Sequence, residues 1–349
     1  MLTNQYTYSR LSSESVAAYV DNYYDLGVIY SCVFYVLGLH DNYVLESETG
    51  KFILRIYRSD WRNPAEVYFE LDLLDYLKHQ NQSVAYPLLT YKKALSLSIE
   101  SPEGERLAAL FTYADGKGIN QEISLDESER LGTSVAQMHE ATLGFETSDQ
   151  RKELNLDYLV DQSVILIKPF INTEQYELLR NTQELIHKNL SNLNPEVADF
   201  GICMGDVNQS NFHINEIGKI TLFDFDQCGY GYRAFELGKY LSSLHKSHFK
   251  KELMTAFLQG YETVRQLNKV EKQAIPYFEI ASVIWVMSIR VTNKNKVGHM
   301  NLEAPYWDHR LGIIGSLNEK LVGTNTGYSS LHRWQPEYDP ANPTIAKYL

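Results

Sequence analysis

Residues 205–238 read GDVNQSNFHINEIGKITLFDFDQCGYGYRAFELG, and the interpretation of the whole chain turns on them. Asp206 is followed by Asn211, and an alternating apolar strand then ends in the acidic pair Asp224 and Asp226 of F-D-F-D. Three oxygen-bearing side chains, Asp206, Asn211 and Asp224, are thus expected at the ends of neighbouring short strands. Phosphoryl transfer to a hydroxyl uses such a set. One carboxylate orients the hydroxyl and accepts its proton, and two oxygen ligands hold the magnesium that neutralises nucleotide phosphates. The D-x-x-x-x-N spacing alone is also ordinary turn chemistry. The F-D-F-D strand sharpens it, because carboxylates inside an apolar run carry a desolvation cost that a purely structural role rarely justifies.

Composition bounds the possibilities. The 349 residues are 44% hydrophobic and 22% charged, an ordinary globular balance for about two domains or one two-lobed one. A net charge of −12 with no basic block argues against nucleic acid as a partner. No apolar run approaches the roughly 18 residues of a membrane span, and the polar start MLTNQYTYSR is unlike a signal peptide, so no membrane association and a cytoplasmic location are expected. Cys32, Cys203 and Cys228 form no CxxC or Cys/His cluster and read as small buried hydrophobes.

Working outward towards the N-terminus, Ser12 or Ser13 can cap a helix carrying Val16, Ala17, Val20 and Tyr24 on one face. A β-branched and aromatic run, VIYSCVFYVLG, then a turn at Gly38 to Asn42, a strand Tyr43 to Ser47 and a returning KFILRIY predict a three-stranded antiparallel meander. In a kinase small lobe the first turn covers the nucleotide phosphates and a basic residue in the third strand reaches them. Asn42 in that turn and Arg55 in that strand are the corresponding candidates, with an ordinary hairpin turn and a lone strand arginine as the alternatives. The next segment, NPAEVYFELDLLDYLKHQ, predicts a helix with Pro64 at its start. Of its acids Glu66, Glu70 and Asp72, Glu70 is the expected partner for Arg55.

Beyond Pro87, Lys92 to Ile99 and Arg106 to Tyr113 predict a hairpin, closed by the Gly-rich break A-D-G-K-G. This break divides a nucleotide-binding lobe, residues 1–113, from a helical catalytic and acceptor-binding lobe, 114–323, with a tail at 324–349. Backbone groups of Phe111 to Tyr113 could meet an adenine edge; an ordinary loop is the alternative. Helices are expected at Asp126 to Thr142, Asn155 to Phe170 and Thr173 to Leu190, with His139 a packed histidine rather than a ligand. Glu236 is expected to hold the catalytic loop. Arg290 and Asn293, late in an apolar helix, could reach an acceptor or lie on a solvated face.

The order of β-rich lobe, hinge and helical lobe defines an α+β class. G-D-x-x-x-x-N, followed by F-D-F-D-Q-C-G-Y-G-Y-R-A-F-E-L, resembles the aminoglycoside phosphotransferase-like branch of the protein-kinase-like superfamily, which includes choline kinases and homoserine kinase type II. G-K-F-I-L-R-I-Y-R with E-V-Y-F-E-L-D-L-L-D-Y-L resembles that family's nucleotide-lobe signature. The resemblance implies a two-lobed protein-kinase-like fold. It also implies an ATP- and Mg2+-dependent phosphotransferase acting on a small-molecule hydroxyl, with Asp206 as catalytic base. Asn211 and Asp224 become metal ligands, Arg55 and Glu70 the phosphate-anchoring pair, and Asn42, Phe111 and Tyr113 further nucleotide contacts. Met204 and Asn208 stand where the family's loop usually has histidines. The acidic excess is compatible with a cationic acceptor. A stress-response-type Ser/Thr protein kinase and a non-catalytic nucleotide-binding regulator are the alternatives.

Overall fold

The computed structural model describes residues 6, 8–119, 122–297 and 302–322. The chain opens with α1 (Ser13–Tyr23), whose first turn is capped by Ser12 accepting the Ser15 N–H. Five strands follow, β1 (Ile29–Leu37), β2 (Asp41–Ser47), β3 (Gly50–Ile56), β4 (Leu97–Ser101) and β5 (Gly104–Thr112), in the antiparallel order β1-β2-β3-β5-β4. Between β3 and β4 runs α2 (Pro64–His79), started by a capping box in which Asn63 and Glu66 exchange side-chain-to-backbone bonds.

The two-residue period of β3 decides what each face does. Leu54 and Ile56 are fully buried in a small core with Val16 and Val20 of α1, which puts Arg55 and Ile53 on the opposite face, towards α2. The buried face of α2 does not join that small core. Its Val67, Leu71, Leu74 and Leu77 belong to one apolar cluster that continues through the rest of the molecule.

The remainder is mainly helical: α3 (Leu125–Ala141), α4 (Gln162–Ile167), α5 (Thr173–Leu190), α6 (Arg233–Ser243), α7 (Lys250–Glu262), α8 (Lys269–Thr292), α9 (Lys294–Val297) and α10 (Ala304–Val322). Short strands β6 (Phe200–Cys203) and β9 (Gly229–Tyr232) pair antiparallel, as do β7 (Phe212–Ile214) and β8 (Ile220–Leu222), so the stretch 200–232 forms two small ribbons that present its polar side chains. The segment after α2 is tied to them: Leu222 donates to the Ser83 carbonyl and accepts from the Ala85 N–H, both at 2.9 Å.

Four expectations change. The hairpin strand predicted from Lys92 begins only at Leu97, because Thr90 to Ala94 close a turn in which Lys93 takes φ +61°. The single helix over Asn155 to Phe170 is a π turn at 157–161, then α4, then a 3-10 turn at 168–170. Phe111 to Tyr113 is not an open hinge with spare donors. Phe111 pairs with Ile53, the Thr112 N–H is bonded to the Tyr86 carbonyl at 3.0 Å, and the Tyr113 N–H to the Lys51 carbonyl at 3.2 Å. Finally, α8 is long and apolar enough to cross a membrane by length and composition, although 72% of its apolar window is buried inside the protein. The tail expected from residue 324 lies outside the described residues.

The packing of α3 on α7 depends on two glycines. A Cβ on Gly132 would sit 1.9 Å from the Phe257 carbonyl oxygen, and one on Gly260 would sit 1.8 Å from that of Glu129. Overpacking of this kind costs about 1–3 kcal/mol. Gly132→Ala and Gly260→Ala should each lower the melting temperature by several degrees in a thermal-denaturation scan, and an unchanged melting temperature in both would show that the helices do not approach this closely.

Candidate active site

One wall is the α2-facing surface of the sheet. On β3, Arg55 divides its guanidinium between two acids, Nη1 to Glu70 Oε1 at 3.0 Å and Nη2 to Asp224 Oδ1 at 2.9 Å, and its Nε donates to Asn42 Oδ1 at 3.3 Å. Asn42, expected in the covering turn, is instead a β2 residue directly opposite Arg55, so it braces the arginine from within the sheet; the turn itself is only Gly38 to His40. Burial works against the Arg55 charge, but the Asp224 and Glu70 carboxylates outweigh it and raise the pKa above its usual value. Burial pushes the Glu70 carboxyl up to about 7 against the pull of Arg55. Tyr57 also donates to Glu70 Oε2, at 3.2 Å.

Beside Arg55 the register lines up Val33, Val44, Ile53 and Phe111 across four strands. Val33 is 52% exposed at one end of this apolar strip, whereas Phe111 at the other end is buried in the main apolar cluster with Ile53 packed against it. Phe111 also lies 5.6 Å from the Arg55 guanidinium carbon, measured to its ring centroid. Tyr113 stands two residues farther along, under the Lys51 ammonium at 4.5 Å and tilted on His213 at 5.5 Å.

The facing wall is the loop after β6. Gly205 adopts φ +83°, and a Cβ there would meet the Gln227 carbonyl oxygen at 2.1 Å, so only glycine fits this turn. Glu236, in the first turn of α6, accepts the N–H of Met204 and that of Gly205, the latter at 3.0 Å. The loop is therefore held by its backbone, as expected of Glu236. Asp206 follows, its Oδ2 accepting from Asn211 Nδ2 at 2.9 Å and its Oδ1 paired with Lys239 Nζ at 2.6 Å. Asn208 closes the loop on itself, donating to the Asp206 carbonyl at 3.0 Å and accepting the Ser210 N–H at 2.8 Å. The Phe223 N–H is bonded to the Asn211 carbonyl at 3.0 Å, which sets Asp224 beside the Asp206–Asn211 pair.

F-D-F-D does not act as an acidic pair. Asp224 has φ +65°, a left-handed conformation uncommon outside glycine, and its side chain is 44% exposed. Phe225 is fully buried, and Asp226 is buried in a polar knot. It accepts from His40 Nε2 at 2.8 Å, Trp61 Nε1 at 2.8 Å, Arg62 Nε at 2.9 Å and Gln227 Nε2 at 3.0 Å. Burial raises the pKa of its carboxyl, but Arg62 and His40 overcome that and hold it well below the usual carboxylate range. The desolvation cost that marked both carboxylates as functional is met at Asp226 by structural partners, a correction to the sequence-based reading.

Sequence reasoning missed Lys239, His40, Arg62 and the strip of Val33, Val44 and Ile53. Only Lys239 carried a local signal: it stands three residues after Glu236 and so shares its helix face. His139 is fully buried, with Nδ1 on the Tyr261 hydroxyl at 2.9 Å, and burial holds its pKa well below the usual value.

Residues 37–270 match the phosphotransferase enzyme family, APH. The chain belongs to this family. A Synechocystis protein of uncharacterized function is 33% identical over 89% of this chain and 86% of its own length. The amicoumacin kinase of Bacillus subtilis is 24% identical over 68% of this chain and 74% of its own. Among solved structures, the amicoumacin kinase hAmiN in complex with AMP-PNP, Ca2+ and Ami superposes with a TM-score of 0.73 at 21% identity, covering 89% of this chain and 94% of that one. This family member is a phosphotransferase with a protein-kinase-like α+β fold.

Burial pushes the Glu236 carboxyl up to about 7, although the Met204 and Gly205 N–H groups oppose the shift. A carboxyl raised in the folded state stabilises fully below its unfolded pKa of about 4.5, and that contribution is lost as the pH rises through about 7. Glu236→Gln cannot titrate. Relative to the wild-type protein it should be most destabilised near pH 5 and least near pH 8 in urea unfolding, and a difference that grows with pH would contradict the shift.

Proposed function

We propose that this phosphotransferase moves the γ-phosphoryl group of ATP to a hydroxyl of a small molecule, with residues before Ala114 holding the nucleotide and those after it the acceptor. The observation that carries the reading is the bond from Asn211 to Asp206, together with the backbone bond that sets Asp224 beside them. Asp206 is the carboxylate that takes the acceptor proton. Its side chain is partly exposed, as a base must be to meet a substrate, and Asn211 orients one of its oxygens.

Asn211 and Asp224 offer only amide and carboxylate oxygens, the donor set that suits a hard divalent cation such as Mg2+. When held by Asn211 and Asp224, magnesium would supply positive charge to neutralise the nucleotide phosphates. Arg55 supplies a guanidinium fork beside Asp224, fixed by Glu70 and Asn42 so that little side-chain freedom is lost on meeting phosphate oxygens. The strip of Val33, Val44, Ile53 and Phe111 suits the flat apolar faces of a nucleobase. The absence of the family's loop histidines does not favour a non-catalytic regulator, because Glu236 and Asn208 brace the loop without them.

An ATP-consumption screen over amines, amino acids, sugars and antibiotics, with Asp206→Asn as the blank, tests the proposal. The variant should lose at least about a hundredfold in turnover, the range of a general base, while ATP with Mg2+ still raises its melting temperature. Equal rates in both proteins would remove Asp206 from the role of base. Stabilisation by ATP with no consumption across the panel would favour the regulator.

A further inference from the structure

We propose that the phosphoryl acceptor is an anion, a hydroxyl compound carrying a carboxylate or a phosphate, and that Lys239 with Arg290 recognises its negative group. The inference rests on the reading of Asp206 as the base and names the class of acceptor that base would serve. It begins from the two oxygens of Asp206. Oδ2 is turned to Asn211, on the side of Asp224 and Arg55, and Oδ1 is turned to Lys239. Lys239 therefore stands on the other side of the base from the nucleotide machinery, where the acceptor hydroxyl must approach.

Lys239 is only 6% exposed, yet an ammonium has three N–H donors, and among the described residues its one ion pair is with Asp206. Donors held out of water and left without acceptors are costly, so this group favours a ligand bearing oxygen acceptors. The chemistry strengthens the bias. Once Asp206 has taken the hydroxyl proton it is neutral, and the ammonium faces the acceptor with its full charge. An amine beside the hydroxyl would be repelled there, whereas an anionic group would be attracted.

The neighbouring helix adds a positive group. Glu279, Ser282, Val286, Arg290 and Asn293 fall on one face of α8 by their spacing; the acid among them, Glu279, is paired with Lys250, which leaves Arg290 as the charge on this face without an ion-pair partner among the described residues. Ser282 Oγ lies 2.9 Å from Ser242 Oγ, about one turn past Lys239 on α6, and Asn293 Oδ1 lies 3.4 Å from Arg58 Nη1, just beyond β3. This face thus runs from beside Lys239 to the crossing beneath the sheet. Arg290 sits 4.6 Å and Arg310 5.8 Å from the centroid of the Tyr306 ring, and among the described residues neither arginine forms an ion pair. In a protein of net charge −12, a cationic acceptor wall is the opposite of what bulk composition suggests.

The test uses acceptors of one skeleton that differ in charge: glycerate, glycerol 3-phosphate, glycerol and 3-amino-1,2-propanediol, and likewise gluconate, glucose 6-phosphate, glucose and glucosamine. Binding is read as a thermal shift in the presence of AMP-PNP and Mg2+, and transfer as ADP release. An anionic member should give the largest shift and a kcat/KM at least tenfold above its amine; which anion does so separates carboxylate from phosphate recognition. Lys239→Gln should reduce the ratio of kcat/KM for the anion over its uncharged counterpart at least tenfold, largely through KM, and Lys239→Arg should keep most of that ratio. Arg290→Gln, at a partly exposed position, should also lower the ratio without lowering the melting temperature. Preference for the amines would overturn the inference and leave the transferase reading standing, as would a Lys239→Gln variant that loses all acceptors equally. Transfer to no compound of either set, with stabilisation by ATP and Mg2+ intact, would count against both.

Discussion

The architecture of the site depends on one buried carboxylate. Removing Asp226 from water carries a penalty of roughly several kcal/mol, which only well-placed partners offset. They come from three distant parts of the chain. His40 closes the β1–β2 turn, Trp61 and Arg62 precede α2, and Arg151, from the segment between α3 and α4, brings its Nη2 to 3.8 Å from Asp226 Oδ1. His40 is kept neutral by burial, so its Nε2 proton goes to Asp226 while its Nδ1 accepts the Arg58 N–H at 3.2 Å. The sheet, the start of α2 and the helical part are thus anchored to the same side chain. Asp224 lies two residues before it, and its orientation towards Arg55 follows from that anchoring.

This knot explains why the acid pair read so differently in sequence and in space. In F-D-F-D the strand period places both carboxylates on one side, and a chemist sees two ligands. The backbone breaks that period at Asp224, where φ becomes positive. One acid is left half-exposed against Arg55 while the other turns into the interior. Nothing local to residues 224–226 distinguishes them. The distinction lies in His40 and Arg62, more than 160 positions away.

What was legible followed short-range rules. Pro64 marked the start of α2, the two-residue period put Arg55 opposite the buried face, and Glu70, one turn after Glu66, proved to be its partner. The D-x-x-x-x-N loop closed as its spacing implied, through Asn211 on Asp206. Illegible features needed knowledge of which strands neighbour one another. The apolar strip of Val33, Val44, Ile53 and Phe111 exists only once four strands are in register, and the donors of Thr112 and Tyr113 were not free because Tyr86 and Lys51 reach them. Lys92 to Ser96 alternates like a strand, but turn chemistry at Thr90 to Ala94 overrode it.

The helix α6 then sets both the backbone of the loop after β6 and the charge that faces Asp206. Glu236 and Lys239 are one turn apart on a single face; the first fixes Met204 and Gly205, the second fixes the carboxylate of the next residue, Asp206. Between them Gly238 lets α6 pack so closely on α8 that a Cβ there would lie 2.7 Å from the Glu279 nitrogen. The distance of Lys239 from Asp206 is therefore determined by the packing of two buried helices rather than by a mobile loop. A long flexible lysine is a poor positioning device when its stem is free, because ordering it costs side-chain entropy. Here the lysine is buried, so its stem is held by the packing around α6 and the charge beside Asp206 is positioned by the fold.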